Sequence, residues 1–329
     1  NDYIEKSLNL IAEESGKVNV FSSYKQTYTK HNSTNVYKTD LATIVEVIDI
    51  TNIQKTLKLT KVNSLDECIN TQGTWFYENN ITVYIHMFGN KEVTHNNIAL
   101  LVNDKAIIYT QSTSRNVNLY IEGINFFGGV INGNLNFQNS ATYTDSKLYL
   151  NKCGFYYGGG TNLGNKYSSV YIKGVDSIIQ DCICMYGYRD GFAYLDNNGT
   201  SCNSIEIDCI GANCGLDNDD GSNNGSTIHG NCRIVRINTK AYNCTGGVIA
   251  DANNSRSLNL GCEAWDSCTN NEALNSNYCP YDTAEMYLYA CKSFGSKLGI
   301  NRNAINTKVY IKNSCYENIV GNGETIFLD

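Results

Sequence analysis

The chain carries one proline, Pro280, in 329 residues, and only 17% of its residues are charged. No apolar run approaches the length of about 18 residues that a membrane-spanning helix needs. Lys and Arg number 25 against 32 Asp and Glu, a formal charge of −7. That balance lacks the basic face a nucleic acid or an anionic membrane would select. The chain opens at Asn1 rather than Met, so further residues are expected upstream, and any targeting signal would lie among them.

What is abundant is turn and strand chemistry. There are 47 asparagines, 28 glycines and 24 tyrosines. Asparagine and glycine tolerate left-handed backbone, so this composition suits many short strands joined by tight bends. An AT-rich genome would enrich asparagine and tyrosine as well. The 14 cysteines admit either disulfides in a secreted protein or buried thiols acting as small hydrophobes.

A repeat organises the second part of the chain. Its copies begin at Leu119, Leu148, Ile178, Ile205, Val235, Leu258, Met286 and Val309, 23 to 30 residues apart. Each reads as a β-branched or aromatic strand, then a Cys- or Gly-bearing strand, then a bend. That period fits one coil of a three-strand solenoid, and it is short for a propeller blade. Leucine-rich repeats would fix leucine at set positions, which this chain does not. The expected fold is an all-β, right-handed parallel β-helix.

Cysteines keep register within the copies. Cys182, Cys209 and Cys262 fall four residues after their starts, Cys153 and Cys291 five, Cys214 and Cys244 nine. Shared offsets predict inward columns of thiols, favoured over disulfides. Cys182 and Cys184 form a CxC without paired CxxC motifs, which disfavours zinc.

Three regions are expected. Residues 1–17 read as a capping helix or linker, with Ile4, Leu8 and Ile11 at helical spacing. Residues 18–115 read as irregular strands, including a hairpin over Thr74–Met87 with Glu78-Asn79-Asn80 at its tip. Residues 116–329 read as regular coils.

The stretch GTWFYENNITVYIHM, from Gly73, resembles a hairpin of pectate-lyase-like β-helix proteins, which include glycan-active enzymes and phage tail proteins. DCICMYGYRDGFAY, from Asp181, resembles an Asn-Asp-Gly-Phe coil of right-handed β-helix repeat proteins of gut bacteria and their phages. With the segment from Asn223 to Cys262, the resemblance spans about 75 to 270. It implies an extracellular or virion location and polysaccharide as ligand. Leu195 stands where that pattern carries a histidine, which removes one acid–base group.

The candidate catalytic constellation is Asp190, Asp217, Asp219, Asp220 and His229, with Arg233, Arg236, Tyr188 and Tyr194 as substrate-binding residues. Asp190 and Asp217 each sit twelve residues after a copy start, so they are expected to stack on adjacent coils. Crowded carboxylates raise one pKa, giving a general acid beside a base or nucleophile. The order Asp-Asp, His-Gly, Arg-Ile is loosely similar to that of polygalacturonases. A lyase would instead need a base and a neutraliser such as Ca²⁺ or Arg. Asp217, Asp219 and Asp220 offer Ca²⁺ ligands, but the distal Glu of an EF-hand loop is missing. The plain alternative is a polar turn. Phe126, Phe127, Phe155, Tyr156, Tyr157 and Tyr186 recur at similar offsets, either as core or as a sugar-stacking stripe.

Three functions follow as expectations. One is a tailspike-like, homotrimeric protein that binds bacterial surface polysaccharide, with cleavage left as an open alternative. The second is a secreted polysaccharide lyase or glycoside hydrolase. The third is a non-catalytic structural β-helix of a virion.

Overall fold

The computed structural model describes residues 6–329 except 23–24, 104–105, 112–114, 130–132, 141, 160–167, 198 and 218–221. Three long parallel sheets of ten, eight and nine strands run along one axis. Each of the first eight coils contributes one strand to each sheet, and each strand pairs with its equivalent one coil away, so the chain is a parallel β-helix. Coils are numbered here by their strand in the first sheet. These are Leu8–Ile11, Asn118–Glu122, Lys147–Asn151, Asp176–Gln180 and Asn203–Ile207 for coils one to five. Arg233–Ile237, Arg256–Leu260, Glu285–Tyr289, Lys308–Lys312 and Glu324–Phe327 follow for coils six to ten.

Single left-handed residues, half of them asparagine or glycine, supply the corner between the first and second sheets. One residue there takes the left-handed conformation in every full coil from two onward, among them Gly123 (φ 73°), Asp208 (φ 52°), Asn238 (φ 53°) and Asn313 (φ 50°). A single such residue turns the chain without a loop. Lys152 and Ala290 hold the same conformation at φ 52°, where the in-register ladders on either side overrule their preference.

The expected N-terminal capping helix is not there. Leu8–Ile11 is a strand, paired in parallel with Leu119–Glu122, and Val18–Phe21 pairs with Ile124–Phe127. Spacing of three or four residues fits a helix, but the open edge of coil two offers a full ladder to this segment, and tertiary pairing wins. The one α-helix among the described residues is Leu65–Asn70, capped by Ser64, whose side chain accepts from Glu67 N. No described helix is long and apolar enough to cross a membrane.

The irregular region is an insertion within coil one, whose third-sheet strand comes only at Ile108–Gln111. The insertion has its own core, with Val47, Leu59, Trp75, Val83, Ile85 and Leu100 buried between a five-stranded and a three-stranded sheet. The hairpin expected from Thr74 forms, with Thr74–Glu78 antiparallel to Thr82–His86 and Asn79 and Asn80 at positive φ. Ile48, Ile50, Ala99 and Leu101 pack the insertion onto Phe127 and Tyr156 of the second sheet.

The repeat copies are in register only after a correction. The ladder runs Leu119, Leu148, Ser177, Ser204, Ile234, Ser257, Met286, Val309. Copies aligned on Ile178, Ile205, Val235 and Leu258 are therefore one residue late. A slip of one residue exchanges the two faces of a strand. In coils four to seven the aliphatic residue points outward, and the residue facing the lumen is often serine. With the slip removed, Cys153, Cys182, Cys209, Cys262 and Cys291 fall into one column, interrupted by Thr239. All 14 cysteines are free; Cys268 and Cys315 are exposed and the others buried. The column thiols donate to strand carbonyls, as Cys209 Sγ does to Ile207 O and Ile179 O at 3.4 Å each.

Candidate functional site

The predicted carboxylate pair is not stacked. The register between Ile183 and Ile210 would place Asp217 beside Asp190, but the chain then makes an extra excursion before its third-sheet strand. Phe192 pairs with Ser226, so Asn224 becomes the neighbour of Asp190. Asp190 is 6% exposed, and its two oxygens accept from Ser168 Oγ at 2.9 Å and Asn224 N at 3.0 Å. That is the geometry of a clamp on a corner. Asp217 lies on the surface and pairs with Lys58 of the insertion at 3.0 Å. Asp219 and Asp220 lie outside the described residues.

His229 does approach Asp190. It sits on the outer side of the third sheet, with Nε2 3.1 Å from Thr227 Oγ1. Burial pushes the Asp190 carboxyl up, against the pull of Arg189 and His229. Burial pushes the His229 imidazole down, against Asp190. Burial thus disfavours the charged form of each, Asp190 before the third-sheet strand and His229 just after it.

Arg236 and Tyr194, expected to bind substrate, face the lumen instead. Both are fully buried. Arg236 Nη1 binds Asp251 Oδ1 at 3.0 Å and Asn259 Oδ1 at 3.3 Å, while Nε donates to Ser226 Oγ at 2.9 Å. Ser226 Oγ in turn donates to Glu206 Oε1 at 2.7 Å, and Thr239 Oγ1 to Glu206 Oε2 at 3.2 Å. Burial works against the guanidinium charge, but Asp251 and Glu206 hold it protonated. Burial and the Glu206 carboxylate push the Tyr194 phenol up. Glu206 was not singled out from the sequence. The available signal was a charge at an inward position of the ladder, and the one-residue slip hid it.

This polar layer divides the interior. Apolar clusters lie on either side, one including Leu119, Leu148, Ile179 and Ile234, the other Val248, Met286, Leu288 and Val309. The expected aromatic stripe is largely internal. Phe126 and Phe155 stack in the lumen at 5.3 Å, and Phe127 and Tyr156 stack beneath the insertion at 4.8 Å. Tyr157, Tyr186 and Tyr188 are half-buried at or near the next corner.

A concave surface that reaches solvent lies on the outer face of the first sheet. A groove of about 490 Å³ crosses coils three to six. Its floor is Tyr149, Ile178, Ile205 and Val235, and its rim is Lys147, Asp176, Asn203 and Arg233. Arg233, predicted to bind substrate, is thus exposed here and not beside Asp190. The floor belongs to a longer outward column: Tyr120, Tyr149, Ile178, Ile205, Val235, Leu258, Tyr287, Tyr310. Tyr149 is 43% exposed and the other seven are half-buried. In coils five to seven a second outward column, Ile207, Ile237 and Leu260, widens the apolar strip. Among the described residues no cluster of three His, Cys, Asp or Glu side chains is placed to hold a metal ion. Comparison of the chain with family models, curated proteins and solved structures finds no match.

Proposed function

We propose that this protein is a non-catalytic β-helix that works by docking, with the outer face of its first sheet as the contact surface. The observation behind the reading is the aliphatic strip of coils four to seven, which faces solvent while serines and charges occupy the lumen beneath it. An apolar side chain on the outer face and a polar one inside is the reverse of the ordinary pattern, and a continuous half-buried apolar strip on an outer face marks a contact site. The extracellular or virion setting comes from the resemblance to pectate-lyase-like proteins. The buried clamp at Asp190 and the Lys58 partner of Asp217 favour structural roles for both carboxylates over sugar cleavage.

A second reading is polysaccharide recognition in the same groove. Lys147, Asp176, Asn203 and Arg233 on the rim offer hydrogen bonds, and Tyr149 offers an exposed ring. The aliphatic floor gives a sugar hydroxyl nothing to bond with, which ranks this reading second.

Hydroxyl-radical footprinting tests both, with dilute protein, concentrated protein, and protein mixed with uronate polymers. Docking predicts that Tyr149, Leu258 and Tyr287 lose labelling in at least one of the latter two samples. Polymer-dependent protection confined to the corner loops around 186–191 and 213–217 would overturn it. So would new reducing ends or an unsaturated uronate product that disappears in Asp190→Asn.

A further inference from the structure

Resting on the docking reading, we infer that the partner of the first-sheet face is a second copy of this chain, packed face to face and antiparallel. The two-fold axis runs along the strand direction, between coils five and six.

Three features of the face carry this. The first is the order of the middle column. Read outward from the gap between Ile205 and Val235, it is Ile, Ile, Tyr, Tyr in one direction (Ile205, Ile178, Tyr149, Tyr120). In the other direction it is Val, Leu, Tyr, Tyr (Val235, Leu258, Tyr287, Tyr310). A two-fold axis at that gap lays aliphatic on aliphatic and tyrosine on tyrosine over eight coils. Isologous contacts require such self-complementarity.

The second feature is charge. Along the rim the same operation sets Lys147 opposite Glu285 of the partner subunit, Asp176 opposite Arg256 of the partner subunit, and Asn203 opposite Arg233 of the partner subunit. On the far side it sets Glu122 opposite Lys312 of the partner subunit. Each rim pair is already formed within one chain, Lys147 with Asp176 and Arg256 with Glu285, both at 3.0 Å. Their head-to-tail apposition makes a four-membered alternating array across the interface. An axis along the solenoid instead would lay Arg233 and Arg256 on Ile237 and Leu260 and bring Lys308 to Lys312. That arrangement offers no opposite charge to Arg256 or Lys308 across the interface, whereas the strand-parallel axis sets charges in alternation.

The third is size. Eight strands about 4.8 Å apart and five residues of about 3.3 Å each give a face of roughly 600 Å² per copy. Two such faces bury about 1,200 Å², within the range of specific interfaces.

Sedimentation equilibrium between about 1 and 100 µM reads the stoichiometry. A dimer is expected, and Val235→Asp should weaken it by about tenfold or more while circular dichroism stays unchanged. Lys147→Glu and Glu285→Lys should each weaken self-association by a similar factor. Mixed together they should form a heterodimer of restored affinity. Each variant loses its own internal ion pair in every sample, so recovery on mixing can come only from contact across the two-fold axis. A monomer throughout, a trimer, a dimer indifferent to Val235→Asp, or a mixture no tighter than its components would overturn the pairing. A monomer whose first-sheet face is protected by uronate polymer would overturn the pairing alone and leave the docking surface standing.

Discussion

Coils two, three, eight and nine differ from coils four to seven in which way they face their polarity. In the outer coils the first-sheet strands put Leu119, Ile121, Leu148, Leu150, Met286, Leu288, Val309 and Ile311 into the lumen and tyrosine on the surface. In the middle coils Ser177, Ser204, Glu206, Arg236, Ser257 and Asn259 look inward, and Ile178, Ile205, Val235 and Leu258 look out. Identical backbone ladders carry both. The β-helix is therefore held by its repeated hydrogen bonds and corner geometry, which leave the identity of the lumen free so long as most buried polar groups find a partner. Ser177 Oγ donates to Ser204 Oγ at 2.9 Å, and the Arg236 network closes most of the remainder.

The sharpest way to break that comparison is Arg236→Met. It leaves Glu206 and Asp251 facing one another in the lumen without a counter-charge, at an expected cost of about 3–5 kcal/mol in urea unfolding. Replacing all three by apolar residues should recover most of that loss. A loss below about 1 kcal/mol for the single variant would mean the layer is hydrated and loosely coupled.

Next comes a paired truncation. Leu150→Ala in coil three should cost about 3 kcal/mol through its cavity, while Ser204→Ala in coil five should cost about 1 kcal/mol. Equal costs would show that the two regions share one kind of core. Asp190→Asn removes one acceptor from the corner clamp, and a loss of about 1–2 kcal/mol is expected in the same assay.

His229 sets a pH dependence. Its folded pKa lies below the unfolded value, so its contribution is fully present above the unfolded pKa. It is lost as pH falls through the folded pKa, because the unfolded chain takes up the proton first. Melting temperature should fall by about 2 °C from this residue on the acid side of neutrality, and His229→Gln should remove that increment. A pH profile unchanged by His229→Gln would refute the assignment. Smallest of all, Ile178→Thr on the outer strip should stay within about 0.5 kcal/mol of the parent in dilute solution, although it removes a branched aliphatic.

The legibility of the candidate site follows from the same contrast. Leu119 and Leu148 were aligned correctly because their coils obey the usual rule. Ile178 and Ile205 misled because aliphatic residues are expected to face inward, and in these coils they do not. The Asp190–Asp217 stack failed for a different reason. Offsets counted from a strand hold only until a loop changes length, and seven more residues precede Ser226 than precede Phe192. The Thr74 hairpin was readable because it is local.

The sequence alone determined that the chain coils, with what period, and that asparagine and glycine turn many of its corners, since these depend on contacts between equivalent residues and on single-residue backbone preference. Only the tertiary structure decided which face of each strand is the inside, and that Leu8–Ile11 joins the solenoid ladder before a whole insertion interrupts the coil. Inside and outside are properties of the closed coil. A strand has two faces of equal geometry, and nothing within five residues distinguishes them until the other two sheets are in place.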